Sequence, residues 1–403
     1  MKTIFAFLIV ALGSGVAQAR VEYAVRNGFV SCMQCHVSPA GAGIRNMGGK
    51  LYGFKNYESN PLSQSELYQA DIRSAFMHTS SEKLPSRRGF MVMSTNGAVS
   101  LPIVKSDEGW SMGFVGSYGF GMLESGLRDS YAIFTAPGGK GLVDAVLVGR
   151  TKPAFGLATD EHRTYVRLQS RTTYALRDFE TGVMVSGTPL YSVHYDLMMT
   201  SGEKTLAGAG GSSGSSTSPW GLYANVRMIP FHGPLTLGAS YNQQGNQNLS
   251  YDAEAMSASA GVALEKLTFG LLPGVFLVEG ARAHGWNNQT MNPSLASTFG
   301  AAAQAGWFTA FADAWSEALL AQLSLDLSQH LTALGKAEQF TPDTGYPGDS
   351  FFRYGAGLRW YMNSNANLQL MYESSYSSRA GLNSSSGVPA VENFTYALLH
   401  LWL

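Results

Sequence analysis

From Arg88 to the end of the chain, apolar and polar residues alternate with a period of two. Leu319, Ala321, Leu323, Leu325 and Leu327 share one parity, and Gln322, Ser324, Asp326 and Ser328 the other. Phe352, Tyr354, Ala356, Leu358 and Trp360 alternate in the same way with Arg353, Gly355, Gly357 and Arg359. The pattern recurs over residues 110–120, 222–228 and 367–373. Successive side chains of a strand point to opposite faces, so each run predicts a β-strand with one apolar and one polar face.

A soluble β-sandwich alternates too. These runs, however, extend to about ten residues, many end in Trp, Tyr or Phe, and polar turns separate them, which is the pattern of a transmembrane β-barrel. The chain also ends on an aromatic and apolar stretch that contains Phe394, Tyr396 and Trp402. At about 20 residues per strand and turn, residues 85–403 predict an all-β, antiparallel transmembrane barrel of about 16 strands, within a range of roughly 14–18. The Gly- and Ser-rich stretch 206–219 predicts a surface loop, because it cannot bury a core. Residues 287–295 and 337–349 are further expected loops.

The front of the chain lacks this alternation. Residues 1–19 predict a cleavable secretory signal: Lys2, then an apolar run from Ile4 to Leu12, then Ala17-Gln18-Ala19 as a small-x-small cleavage site. The apolar run is too short to span a bilayer. Residues 20–84 predict a small domain that carries the only two cysteines of the protein, in Cys32-Met33-Gln34-Cys35-His36. Ser63-Gln64-Ser65-Glu66 has the form of a capping box and predicts a helix reaching His78, with Leu67, Ala70, Ile72 and Phe76 on its apolar side.

C-x-x-C-H is the attachment pattern of a c-type haem. Two thiols at this spacing take up the two vinyl groups of one porphyrin, and the following imidazole supplies the proximal iron ligand. A zinc site needs further ligands, and no other cysteine supplies them. One covalent haem c on Cys32, Cys35 and His36 is the expectation. Met47, Met77 and His78 are candidates for the distal position, with His162 reaching in from the barrel as another. Met in that place raises the potential relative to His.

Composition narrows the class. The net charge is −1, only 14% of residues are charged, and there are 46 glycines and 12% aromatics. A nucleic-acid-binding chain would be basic, so that class is excluded. Arg150 and Lys152 share a parity, and so do Arg163, Arg167 and Arg171. If these are barrel strands, one basic column faces the lumen, either as a wall that attracts anions or holds propionates, or as ordinary lumen polarity balanced by Asp160, Glu161 and Asp178.

With the haem motif, the export signal and the barrel together, the chain resembles the fused cytochrome–porin family of bacterial outer membranes, whose best-known members are monohaem iron oxidases. The resemblance is carried by Arg26-x-Gly28, by Cys32-x-x-Cys35-His36, and by Gly49-Lys50-Leu51-Tyr52-Gly53-Phe54-Lys55. Residues 149–156 also resemble a strand motif of phosphate-selective-porin-like barrels. The resemblance implies a plugged barrel in the outer membrane, with the haem near or inside the lumen. It further implies one-electron transfer between an extracellular donor or acceptor, iron among them, and a periplasmic cytochrome. A basic column does not suit attraction of the cation Fe²⁺, so an electron conduit is a firmer expectation than an iron(II):cytochrome oxidoreductase. The alternative is an anion or solute porin in which the haem segment is an accessory. A peroxidase would require distal acid–base residues that the sequence does not identify.

Overall fold

The computed structural model describes residues 21–41, 44–56, 67–81, 86–120, 125–137, 141–157, 164–166, 179–201, 220–245, 253–284, 315–341, 344–345, 350–363, 365–377 and 391–402. Sixteen antiparallel strands form one closed barrel, each paired with its neighbours in sequence. The first eight are β1 (Tyr68–Ser81), β2 (Arg87–Lys105), β3 (Ser111–Phe120), β4 (Gly126–Thr135), β5 (Ala145–Thr151), β6 (Glu180–Leu190), β7 (Val193–Thr200) and β8 (Gly221–Met228). The second eight are β9 (Leu235–Gln244), β10 (Ala253–Ala263), β11 (Gly274–His284), β12 (Ser316–Asp326), β13 (Leu331–Thr341), β14 (Phe351–Asn363), β15 (Ala366–Ser377) and β16 (Val391–Trp402). β1 and β16 close the ring in continuous register from Asp71↔Trp402 to Ser81↔Glu392. A closed ring leaves no edge strand, which is what lets a sheet stand in lipid with its backbone satisfied.

The alternation read from the sequence becomes the two faces of this wall. On β12, Leu319 is exposed while Ala318, Leu320, Gln322 and Ser324 are buried. On β14, Tyr354, Leu358 and Trp360 face outward, while Arg353 and Arg359 are each only 3% exposed on the inner face. Among the described residues no helix is long and apolar enough to cross a membrane; the strands make the crossing.

The strand ends joined by short connections, such as β2 to β3, β6 to β7 and β12 to β13, lie at one end of the barrel, and the ends that border the long intervals after β5, β7 and β11 lie at the other. In such barrels the short turns face the periplasm and the long loops the outside. Exposed Trp110, Phe134 and Trp360 lie toward the short-turn end, and exposed Phe90, Phe120, Tyr354 and Tyr376 toward the loop end. These are the two interfacial girdles of aromatic residues expected of a bilayer barrel.

Three expectations change. The stretch expected as a helix up to His78 is instead β1, which pairs with β2 on one side and β16 on the other; Ser63-Gln64-Ser65-Glu66 lie outside the described residues. The wall thus begins at Tyr68, ahead of the boundary at residue 85. Residues 337–341 belong to β13 rather than to a loop. Residues 164–166 are buried as a helical turn rather than a strand, and β5 ends at Thr151.

The N-terminal segment lies inside the barrel. Helix α1 (Val21–Asn27) sets Val25 against Leu157, Ala263, Val275 and Leu277. Glu22 accepts a hydrogen bond from Gln322 at 3.0 Å and lies 3.6 Å from Arg359. Arg26 pairs with Asp326 at 2.5 Å. Tyr23 and Tyr52 pack with Tyr361, and Ile44 packs against Val115, Tyr131, Ile133, Leu147 and Met184. All of these partners are residues of the inner wall or, for Leu157, of the segment after β5 that also enters the lumen. Burying Val25 and Ile44 contributes about 1.5–3 kcal/mol each, so apolar contact and ion pairs together hold the plug.

Candidate functional site

Helix α1 stops at Gly28, whose φ of +72° is the left-handed conformation that glycine adopts without strain. Phe29 N donates to Ala24 O at 2.8 Å and Gly28 N to Val25 O at 3.2 Å, a Schellman-type stop. This is the structural content of Arg26-x-Gly28: the arginine anchors the last turn to the wall, and the glycine redirects the chain toward the cysteines.

Cys32–Gln34 then form one 3₁₀ turn, capped by Ser31 Oγ, which accepts from Met33 N at 3.2 Å. Cys35 N and His36 N both donate to Cys32 O, at 3.1 and 2.8 Å. Both thiols are free and partly exposed, while His36 is only 4% exposed. His36 and Arg45 form a backbone bridge, and Val37 N donates to Ile44 O at 2.9 Å.

Asn46 ties the turn to the helix C-terminal to it, α2 (Met47–Asn56). Its Nδ2 donates to Met33 O at 2.5 Å and His36 O at 3.0 Å, its backbone N donates to Cys35 O at 3.1 Å, and its Oδ1 accepts from Gly49 N at 3.2 Å. A Cβ on Gly48 would lie 2.2 Å from Gln34 O, and one on Gly49 2.3 Å from Cys35 O. Gly49, which opens this second motif, and Gly48 before it therefore let α2 approach the cysteine turn closely.

Two arginines flank the turn. From β8, Arg227 Nη1 donates to Cys32 Sγ at 2.6 Å, and its Nη2 pairs with Asp196 at 3.0 Å. Asp196 also meets His194 at 3.0 Å and accepts from Ser186 at 2.8 Å. On the other side, Arg45 is 1% exposed, and none of its three guanidinium nitrogens has a hydrogen-bond partner among the described residues. Burial pushes Arg45 down to about 9, against the pull of Cys35 and Asp71. Burial, and then the neighbouring Cys32 sulfur, push the Cys35 thiol up to about 11.

The donor set fits a c-type haem: two free thiols separated by two residues on one turn, an adjacent buried imidazole, and a buried cation with no counter-charge bonded to it among the described residues. The distal position has no such definition. Met47 opens α2 and is 49% exposed. Met77 and His78 are in the wall rather than the plug. Met77 has the lumenal parity of buried Arg73 and Ala75, and His78 the outward parity of exposed Phe76. Strand alternation thus separates His78 from the plug that a helix would have placed it on.

The expected basic column divides. Arg150, the residue before the last of β5, is half-buried and donates to Leu127 O at 3.2 Å, and Lys152 is buried just beyond the strand. Arg163, Arg167 and Arg171, like His162, lie outside the described residues. The chain after β5 turns into the lumen: Gly156 N donates to Ser240 Oγ at 2.8 Å, Leu157 N to Glu279 at 3.2 Å, and Tyr165 N to Glu338 at 2.9 Å. Arg353 lies 4.3 Å over the Tyr165 ring and pairs with Glu338 at 3.1 Å, and Lys336 pairs with Glu373 at 2.7 Å. The lumen is therefore crossed by two inserted segments, which touch where Val25 meets Leu157.

No protein-family profile and no curated protein matches the chain. Among solved structures, an anion-selective porin from Comamonas acidovorans is similar over 83% of this chain and 98% of its own, with a TM-score of 0.57 and 10% identity. The outer membrane channel DcaP of Acinetobacter baumannii covers 83% and 96%, with a TM-score of 0.57 and 11% identity. Salmonella typhi OmpF, in complex with daunomycin, covers 83% and 97%, with a TM-score of 0.57 and 10% identity. At these identities the likeness is one of fold: the chain is a porin-type barrel. Its apolar outer face, its girdles and its turn asymmetry assign it to the bacterial outer membrane.

Proposed function

We propose that the barrel carries one haem c on Cys32, Cys35 and His36 and passes electrons singly between an extracellular donor or acceptor and a periplasmic cytochrome. The observation that supports this reading is the position of the C-x-x-C-H turn: it lies within the lumen of a membrane barrel, with both thiols free and its backbone held by Asn46 and by the His36–Arg45 bridge. A bound haem c supplies a reversible one-electron couple at its iron. The protein's own part is positional. His36 is oriented from both sides of its backbone, and Arg227 holds the Cys32 sulfur toward β8. Iron(II) is one donor of this class, and oxidation of it would make the chain an iron(II):cytochrome oxidoreductase.

A second reading, an anion or solute porin with an accessory haem segment, is supported by the fold likeness to an anion-selective porin and by the basic groups on the inner wall. Protein purified in detergent separates the two. For the conduit, the wild type gives a c-type reduced-minus-oxidised spectrum and carries electrons into liposomes, and Cys32→Ala/Cys35→Ala loses both. A wild type that conducts anions but moves no electrons overturns the conduit in favour of the porin.

A further inference from the structure

A cavity of about 80 Å³ lies between the plug and the wall formed by β1–β5. About 10–15 Å³ of such space holds one water, so there is room for a carboxylate or a small oxoanion. Four basic side chains line it, Arg45, Arg73, Arg128 and Lys152, against two carboxylates, Asp71 and Asp129. Both carboxylates are already engaged. Asp71 pairs with His400 at 2.5 Å and Arg73 at 3.3 Å, and Asp129 accepts from Ser117 at 2.7 Å and Thr151 at 3.1 Å. Arg45 is thus left with a guanidinium that is almost wholly buried and has no hydrogen-bond partner among the described residues. A buried charge without a partner costs several kcal/mol, which an ordinary fold does not carry without a counter-ion.

We infer that this cavity is an anion site, in which Arg45 binds the oxygens of a carboxylate or small oxoanion as a bidentate pair. A guanidinium presents a planar fork of donors matched to such a group. The cavity lies beside the cysteine turn, to which Arg45 is joined through the His36 bridge. Two sources share this chemistry: a propionate of the attached haem, which rests on the proposed function, or a free anion entering the barrel, which does not.

The test uses the purified wild-type barrel, Arg45→Gln and Arg45→Lys, with inorganic phosphate as the calorimetric probe and the haem midpoint potential as a second readout. Folding of each variant is checked by its heat-dependent gel mobility, and Arg45→Lys retains the charge if Arg45→Gln does not fold. If a free anion is the occupant, wild type binds phosphate, Arg45→Gln binds it at least about tenfold more weakly, and the potential is unchanged. If a propionate is the occupant, wild type binds no phosphate, the haem-free Cys32→Ala/Cys35→Ala form does, and loss of the cation in Arg45→Gln lowers the potential, with Arg45→Lys restoring part of it. A wild type without haem that still binds phosphate through Arg45 removes the conduit reading and leaves the anion site standing. Phosphate binding in neither form, with a potential insensitive to Arg45, overturns the site.

Discussion

Arg227, on β8, donates a hydrogen bond to the sulfur of Cys32, on the plug, at 2.6 Å, across 195 residues of sequence. The same guanidinium is paired with Asp196 on β7. The wall and the cysteine turn are therefore positioned by one side chain, and the carboxylate behind it is buried, at 1% exposure.

Replacing Arg227 by Met leaves Asp196 with its His194, Ser186 and Asn225 contacts but without its cation. The expected cost is about 1–3 kcal/mol of barrel stability, read as a lower urea midpoint in detergent. The double change Asp196→Asn/Arg227→Met should recover most of it. Equal midpoints for wild type and Arg227→Met would show that the pair carries no net stability.

Asn46→Ala removes two bonds to carbonyls of the cysteine turn and the acceptor for Gly49 N. The expected loss is about 1–3 kcal/mol, confined to the plug. Amide exchange at Cys35 and His36 should accelerate at least about tenfold, while amides of β12 and β13 remain protected. Gly49→Ala, which forces a Cβ toward Cys35 O, should act in the same direction. Uniform acceleration across plug and wall would contradict this local role.

In haem-free protein, the raised Cys35 thiol predicts slow alkylation. Its ordinary value is 9.0 and its folded value about 11, because burial disfavours the thiolate. Since the folded value is the higher, the contribution of the thiol to stability is complete below about pH 9 and is lost as pH rises through about 11. The rate of carbamidomethylation at Cys35, followed by mass spectrometry, should therefore climb about tenfold per pH unit from 8 to 10. A rate that rises only about twofold between pH 9 and 10 would show an unperturbed thiol.

Glu338 joins the inserted segment to the wall, accepting from Tyr165 N at 2.9 Å and pairing with Arg353 at 3.1 Å. Glu338→Gln should keep the geometry of the acceptor but weaken the charge-assisted bonds by about 1–2 kcal/mol. Exchange at the Tyr165 amide should rise about tenfold with the strand amides unaltered. No change there would mean that the segment is held elsewhere.

Strand existence, face and approximate number were legible because a lipid-facing wall imposes a period of two on every crossing: Leu319, Tyr354 and Leu358 had to be apolar wherever they lay in the ring. Residues 67–78 misled for a local reason. Spacing of apolar residues after a capping-box sequence favours a helix, but this stretch completes a ring, and its partner, β16, starts more than 300 residues later. The inserted segment was missed similarly: Arg150, Lys152 and Tyr165 alternate acceptably as strand, and only contact with Glu338 and Arg353 identifies the turn at Tyr165 as lumenal. Arg45, Asn46 and Arg227 carried no signal in the sequence, since isolated polar residues declare a role only through what they touch.

By itself, the sequence determined the donor set and the wall. The spacing of Cys32, Cys35 and His36 limits what they can hold, and the alternation limits which environment the strands can occupy, because both are properties of neighbouring residues. Only the tertiary structure decided that the cysteine turn sits inside the barrel, that His78 belongs to the wall, and that Arg45 faces a cavity with no counter-charge bonded to it among the described residues. Those facts depend on strand register and on side chains brought together from distant parts of the chain, and no local pattern encodes them.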